Sequence, residues 1–171
     1  MIGADDILWH TSQKGGITIK LIVFYLIFMA LGFTTLITLD MSGQLPKWIV
    51  EGRIPFLCIV IGGLGGCLYC LRAIYVNACV HKAWDEDWKP WYYIRPVASA
   101  ICGGISWLFL KAGLIVLESS QNPNSSNLGF YALAFIAGLN VDKFLGKLEE
   151  VAQSVWGIEK SRASKDSGKD G

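Results

Sequence analysis

Cys67-Leu-Tyr-Cys70 has the two-residue spacing of a dithiol active site, in which one thiolate attacks a disulfide and the other resolves the mixed intermediate. Its setting does not suit that chemistry. Four-span thiol oxidoreductases place such a pair at the outer face with a second reactive pair in an outer loop. Here the pair falls in the inner half of an apolar segment, and neither outer loop contains a cysteine. Cys58, Cys79 and Cys102 are isolated, and a buried cysteine usually serves as a small apolar side chain. His10 and His81 have no Cys, Asp or His at a spacing that would close a metal site. No Ser-His-Asp set or carboxylate pair can be assembled inside the apolar segments. The expectation is a protein without metal, cofactor or catalytic centre.

The ionisable residues inside apolar sequence carry more information, because a charge at bilayer depth requires water, a partner or a route to the headgroups. Lys111 lies within the apolar run 96–117. It can snorkel or pair with Glu118 on the same helix face, or it can face a water-filled axis, where copies of the chain would repeat it as a ring favouring anions. Thr34, Thr35 and Thr38 form a weakly polar patch on the first run, and Thr34 and Thr38 join Lys111 as pore-lining candidates. Such hydroxyls more often bond their own helix. Asp142, between Asn140 and Lys143, is a candidate for an ion pair with Arg95 or Arg72, or for a gate that exchanges partners. Lys82, Lys89 and Arg95, interleaved with aromatic residues, could hold a phosphate-bearing ligand or lipid headgroups, although Asp85-Glu86-Asp87 lower the charge of that loop.

The elements that must position these residues are membrane helices. The chain has 171 residues, of which 53% are hydrophobic and 17% charged, on the membrane side of the usual range for soluble domains. A hydrocarbon core of about 30 Å needs about 20 apolar residues per helix. Positions 19–39, 54–76 and 96–117 meet that length; 128–145 is a shorter fourth span ending in Asn140, Asp142 and Lys143. Lysines and arginines gather before the first span, around the second loop and after the fourth, whereas the other loops hold only Lys47 and Arg53. The positive-inside rule then puts both termini in the cytoplasm. The first apolar run is full length with no basic leader or Ala-x-Ala site, so it is expected to stay. Trp84, Trp88, Trp91, Tyr92 and Tyr93 fit an aromatic belt, with Pro96 opening the third helix.

Gly62 and Gly66 stand one turn apart in the second span, and Gly103 and Gly138 belong to small-residue faces on the third and fourth. This spacing lets helix backbones approach closely. The surplus of small faces hints at contacts between copies. After the fourth span, apolar residues recur every three or four positions to about residue 158, which predicts an amphipathic helix lying on the membrane or extending into the cytoplasm. Residues 161–171 are small and polar and are expected to form a disordered tail. The fold expected is all-α, a single domain over 1–160 built as a transmembrane four-helix bundle with a C-terminal cytoplasmic amphipathic helix.

Trp88-Lys-Pro-Trp-Tyr-Tyr-Ile-Arg-Pro96 with the span it opens, and Phe130-Tyr-Ala-Leu-Ala-Phe-Ile-Ala-Gly-Leu-Asn140 leading into Lys143-Phe-Leu-Gly-Lys-Leu-Glu149, resemble small four-span bacterial inner-membrane effectors of antiphage defence operons, the Hailong-type membrane effectors. The resemblance covers Trp88 to Trp156 and leaves out the first span. It implies a homo-oligomeric ion channel controlled by the nucleotide product of a partner nucleotidyltransferase, whose opening depolarises the cell. The expected function is therefore a regulated oligomeric pore, a tetramer in contact with membrane lipid. The alternative is a noncatalytic scaffold or sensor whose Trp-rich loop and C-terminal helix recruit a cytoplasmic partner.

Overall fold

In the computed structural model, residues 4–81, 86–113 and 126–157 are described, positions 4–16, 86 and 126 as backbone only. These residues are helical almost throughout: α1 is Ala4–Met41, α2 the single turn Lys47–Val50, α3 Arg53–Ile74, α4 Lys89–Lys111, α5 Ser126–Leu139 and α6 Val141–Trp156. Beyond Ile74, α3 continues as a wider π-helical stretch, Tyr75–Val80. Three helical stretches, Ile17–Met41, Arg53–Val80 and Lys89–Lys111, are long and apolar enough to cross a membrane. A fourth crossing requires α5 and α6 together, because the chain turns by 111° between them. With about 1.5 Å of rise per residue, α5 alone reaches only about 20 Å.

The bundle is built on α3. Helix α4 packs antiparallel along it, α5 lies against both, and α1 covers another side of α3. Small residues let the three central helices meet backbone to backbone. A Cβ on Gly62 would come within 2.7 Å of the Gly103 Cα and of the Ser99 carbonyl, and one on Gly138 would run into the Gly62 backbone. Gly66 sits over Ser99 and Pro96, Gly65 over Phe135 and Leu139, and Gly63 receives the ring of Phe33 from α1. With no side chains to separate them at this crossing, the helices gain dispersion contacts that lipid tails cannot replace. Ile22 and Leu26 of α1 meet Cys70, Ile74 and Tyr92 in one buried cluster; Cys102, Ala137, Val141 and Phe144 form a second where α6 joins the bundle.

Two helix boundaries differ from the sequence reading. Helix α4 begins at Lys89, with Pro90 in its first turn, and Pro96 lies inside the helix. The first-turn preference for proline is met by Pro90, since its missing N–H has no intrahelical partner there. The span expected at 128–145 breaks at Asn140, whose backbone (φ −125°, ψ 57°) leaves the helical region. Leu139 and the residues before it are held against α3, whereas the sequence from Val141 on alternates apolar and charged faces. The stretch thus joined the end of one helix to the first turn of a different kind of helix. Helix α6 ends at Gly157 in the left-handed region (φ 68°), where its N–H donates to the Gln153 carbonyl. The tail 161–171 lies outside the described residues.

Many large apolar side chains point away from the bundle, including Phe24, Phe28 and Leu31 of α1 and Ile101 and Leu108 of α4. Exposed apolar surface on this scale is what helices surrounded by lipid present.

Candidate functional site

Two ion pairs join separate helices among the described residues, Asp40–Arg53 where α3 begins and Arg95–Asp142 farther along it. At the end where α3 begins, Asp40 closes α1 and is only 8% exposed. Arg53 grips it with both prongs of the guanidinium, Nε donating to Oδ1 at 2.6 Å and Nη2 to Oδ2 at 2.8 Å. This paired fork satisfies the carboxylate and ties the top of α1 to α3. Asp40 escapes notice in the sequence because it ends an apolar run, where an acid reads as an ordinary interfacial residue.

Farther along α3 stands Arg95, two turns into α4, with a side chain only 5% exposed. The guanidinium carbon lies 4.7 Å from the centre of the Tyr69 ring and 5.1 Å from that of Trp91, so the cation is held between two aromatic faces. Its Nη1 donates to Oδ2 of Asp142 on α6 at 2.9 Å. Its Nε and Nη2 are buried and find no hydrogen-bond partner among the described residues. A buried donor left unsatisfied costs about 1–3 kcal/mol, only part of which aromatic contacts return. Asp142, by contrast, is 77% exposed. The expectation of an acid embedded in apolar surroundings is reversed: the embedded charge is the arginine, and the acid reaches it from outside. Tyr25 packs on Tyr93 with ring centres 5.1 Å apart, completing an aromatic layer around this junction.

The remaining candidates are dispersed. Lys111 is the last residue of α4 and exposed, followed by Ala112 and by Gly113 at φ 71°. Gly104 packs on Ile59, so seven further residues of antiparallel helix carry Lys111 to about the level of Arg53. Its depth within the span, as read from the sequence, is therefore revised to the helix end; Glu118 and Lys82 lie outside the described residues. The hydroxyls of Thr34 and Thr38 donate back to the carbonyls of Ala30 and Thr34, at 2.8 and 2.7 Å, while their side chains remain uncovered by the other described residues. Lys89 opens α4, six positions before Arg95.

Cys67 and Cys70 are free thiols fully buried on α3, Cys70 within the α1–α3 cluster. Such a position denies them a substrate disulfide. Among the described residues no group of three or more His, Cys, Asp or Glu side chains could hold a metal ion. What the arrangement offers is an ion pair between a close-packed bundle and the amphipathic helix α6, which packs on the middle of α4 through Phe144 and Leu148. No family model, curated protein or solved structure matches the chain.

Proposed function

We propose that the chain is the subunit of a homo-oligomeric membrane pore, in which α6 controls conduction through the Arg95–Asp142 pair. The observation that carries this reading is the burial of Arg95 with, among the described residues, a single hydrogen-bonded partner, and that partner on a different helix. An ionisable group held inside apolar surroundings at a cost marks function more often than architecture. In the proposed topology α1, α3, α4 and the α5–α6 pair make four passes. Both termini then lie on the cytoplasmic side of a bacterial inner membrane.

The conducting axis lies between copies, since Gly62, Gly103 and Gly138 bring the central helices too close for a water column. Thr34 and Thr38 offer their oxygens on the uncovered face of α1, and Lys111 stands at the rim of the pore. A symmetric tetramer would repeat each of these groups around the axis.

The scaffold reading is favoured by one observation: the threonine hydroxyls already donate to their own helix and have only acceptor capacity left for a pore. Ion flux into liposomes containing the purified protein separates the two. The pore reading expects flux that changes when residues after Val155 are deleted. Absence of flux from a fully assembled protein, together with lost capture of a cytoplasmic partner on the same deletion, would establish the scaffold.

A further inference from the structure

Charged side chains bound the apolar layer that α3 crosses. Arg53 and its partner Asp40 stand at one limit, with Lys111 at about the same level. Arg72 stands at the other, near Lys20 of α1, two positions before Ile22 in the cluster with Cys70 and Ile74. From position 53 to position 72 the helix rises about 28 Å, close to the thickness of a hydrocarbon core. Gly62 lies midway and meets Gly103 and Gly138. Phe144 of α6 packs beside Cys102 and Ala137, the chain neighbours of those two glycines. Helix α6 therefore starts at mid-depth. Its length is about 24 Å, and the 111° turn from α5 sends it across the bundle rather than along it.

The chemistry of α6 does not suit lipid at that depth. Phe144 and Leu148 face the bundle, whereas Asp142, Lys143, Lys147 and Glu150 are exposed. Each limit of the apolar layer is about 14 Å away, more than a lysine side chain spans. Ionised groups held so deep need water beside them. The helix break at Asn140 makes the same demand, since interrupted helices occur at membrane depth only inside protein or beside a water-filled cavity. The threonines of α1 make no such demand, because their hydroxyls donate to their own helix.

Two of the α6 charges are balanced on this face or beside it: Lys147 reaches Glu150 at 2.7 Å, and Asp142 meets Arg95 at 2.9 Å. Lys143 is exposed and has no ion-pair partner among the described residues, so it leaves the face with a surplus positive charge. We propose that the polar face of α6 lines the water-filled axis between copies of the chain, at the middle of the membrane, and that Lys143 sets its preference for anions. This rests on the pore reading and names the surface that the permeating ion meets. Closed symmetry repeats Lys143 around the axis as a ring.

The test uses the full-length protein in liposomes with Cys79→Ser, which removes the one exposed cysteine of the five. An anionic, membrane-impermeant methanethiosulfonate should label a Lys143→Cys variant and cut its chloride flux. Ile101→Cys, at the same depth on an exposed apolar side of α4, should stay unlabelled. A unit charge about 4 Å from an ion in water changes its occupancy about fivefold. Lys143→Gln should therefore lower the preference for chloride over sodium by about fivefold or more, and Lys143→Glu should reverse it. Native mass equal to that of wild type shows that each variant assembles. Wild-type flux with Lys143→Cys unlabelled would overturn the lining and leave a pore built from other helices. Labelling with flux and ion preference unchanged would place α6 on a membrane surface and overturn it too. Labelling of Lys143→Cys in a protein that conducts nothing would instead overturn the pore reading, leaving a hydrated contact between copies.

Discussion

Arg95 is buried and Asp142, its ion-pair partner across 2.9 Å, is exposed. The asymmetry gives the pair a direction. The arginine cannot leave without dismantling its stack with Tyr69 and Trp91, whereas the aspartate can leave whenever α6 moves. A motion of α6 therefore changes the charge balance inside the bundle, because it strips a buried guanidinium of the hydrogen-bonded partner it has among the described residues.

Asp142→Asn retains an oxygen acceptor and removes the countercharge. Charge-assisted hydrogen bonds contribute about 1.5–3 kcal/mol, and part of that survives with a neutral acceptor. The variant should lose about 1–2 kcal/mol in thermal unfolding and show higher basal flux in liposomes than wild type. Unchanged flux at lowered stability would confine the pair to a structural role.

Glycine substitutions should divide sharply by position. A Cβ on Gly103 would lie 2.9 Å from the Gly62 Cα and press on the Cys58 carbonyl, and neither backbone can yield without parting α3 from α4. Gly103→Ala should cost about 1–3 kcal/mol, as overpacked sites do. Gly146 of α6 has open space around it, so Gly146→Ala should be neutral or stabilise by up to about 1 kcal/mol through helix propensity. Thermal denaturation in detergent reads both, and equal effects would contradict the packing.

Much of this could be read in the sequence, and what could not has physical causes. Helix existence followed from apolar length, since nothing but a helix satisfies its backbone over 20 such residues in lipid. The close approach at Gly62, Gly103 and Gly138 was visible as small-residue spacing, but Ser99 and Gly65, which share the crossing, carry no such signature alone. The break at Asn140 was hidden because a single asparagine does not end a helix. It takes the packing of α5 against α3 on one side and the amphipathic pattern of α6 on the other. Arg95 read as an interfacial cation because Pro96 looked like the helix start; with the start at Lys89, Arg95 lies two turns further in and is covered.

Arg53→Ala should destabilise the end of the bundle where α1 meets α3. Asp40 keeps its burial and loses both donors, and although half of the arginine is exposed, the carboxylate is not. A loss of about 1–3 kcal/mol is expected, against less than about 0.5 kcal/mol for Lys47→Ala on the adjacent turn. Comparable unfolding temperatures for the two variants would show that the fork contributes nothing.

Lys111→Glu changes an exposed group at a helix end and should leave folding within about 0.5 kcal/mol of wild type. A ring of lysines at a pore rim favours anions, so the reversal should shift liposome flux toward cations. If the assembled variant matched wild type in conductance and ion preference, Lys111 would stand away from the axis.

The central claim is that conduction runs between copies of the chain, and the native mass of the purified protein in nanodiscs tests it most directly. The account predicts one discrete homo-oligomer, a tetramer, stable on dilution. A monomer in a lipid environment that preserves the fold would contradict it.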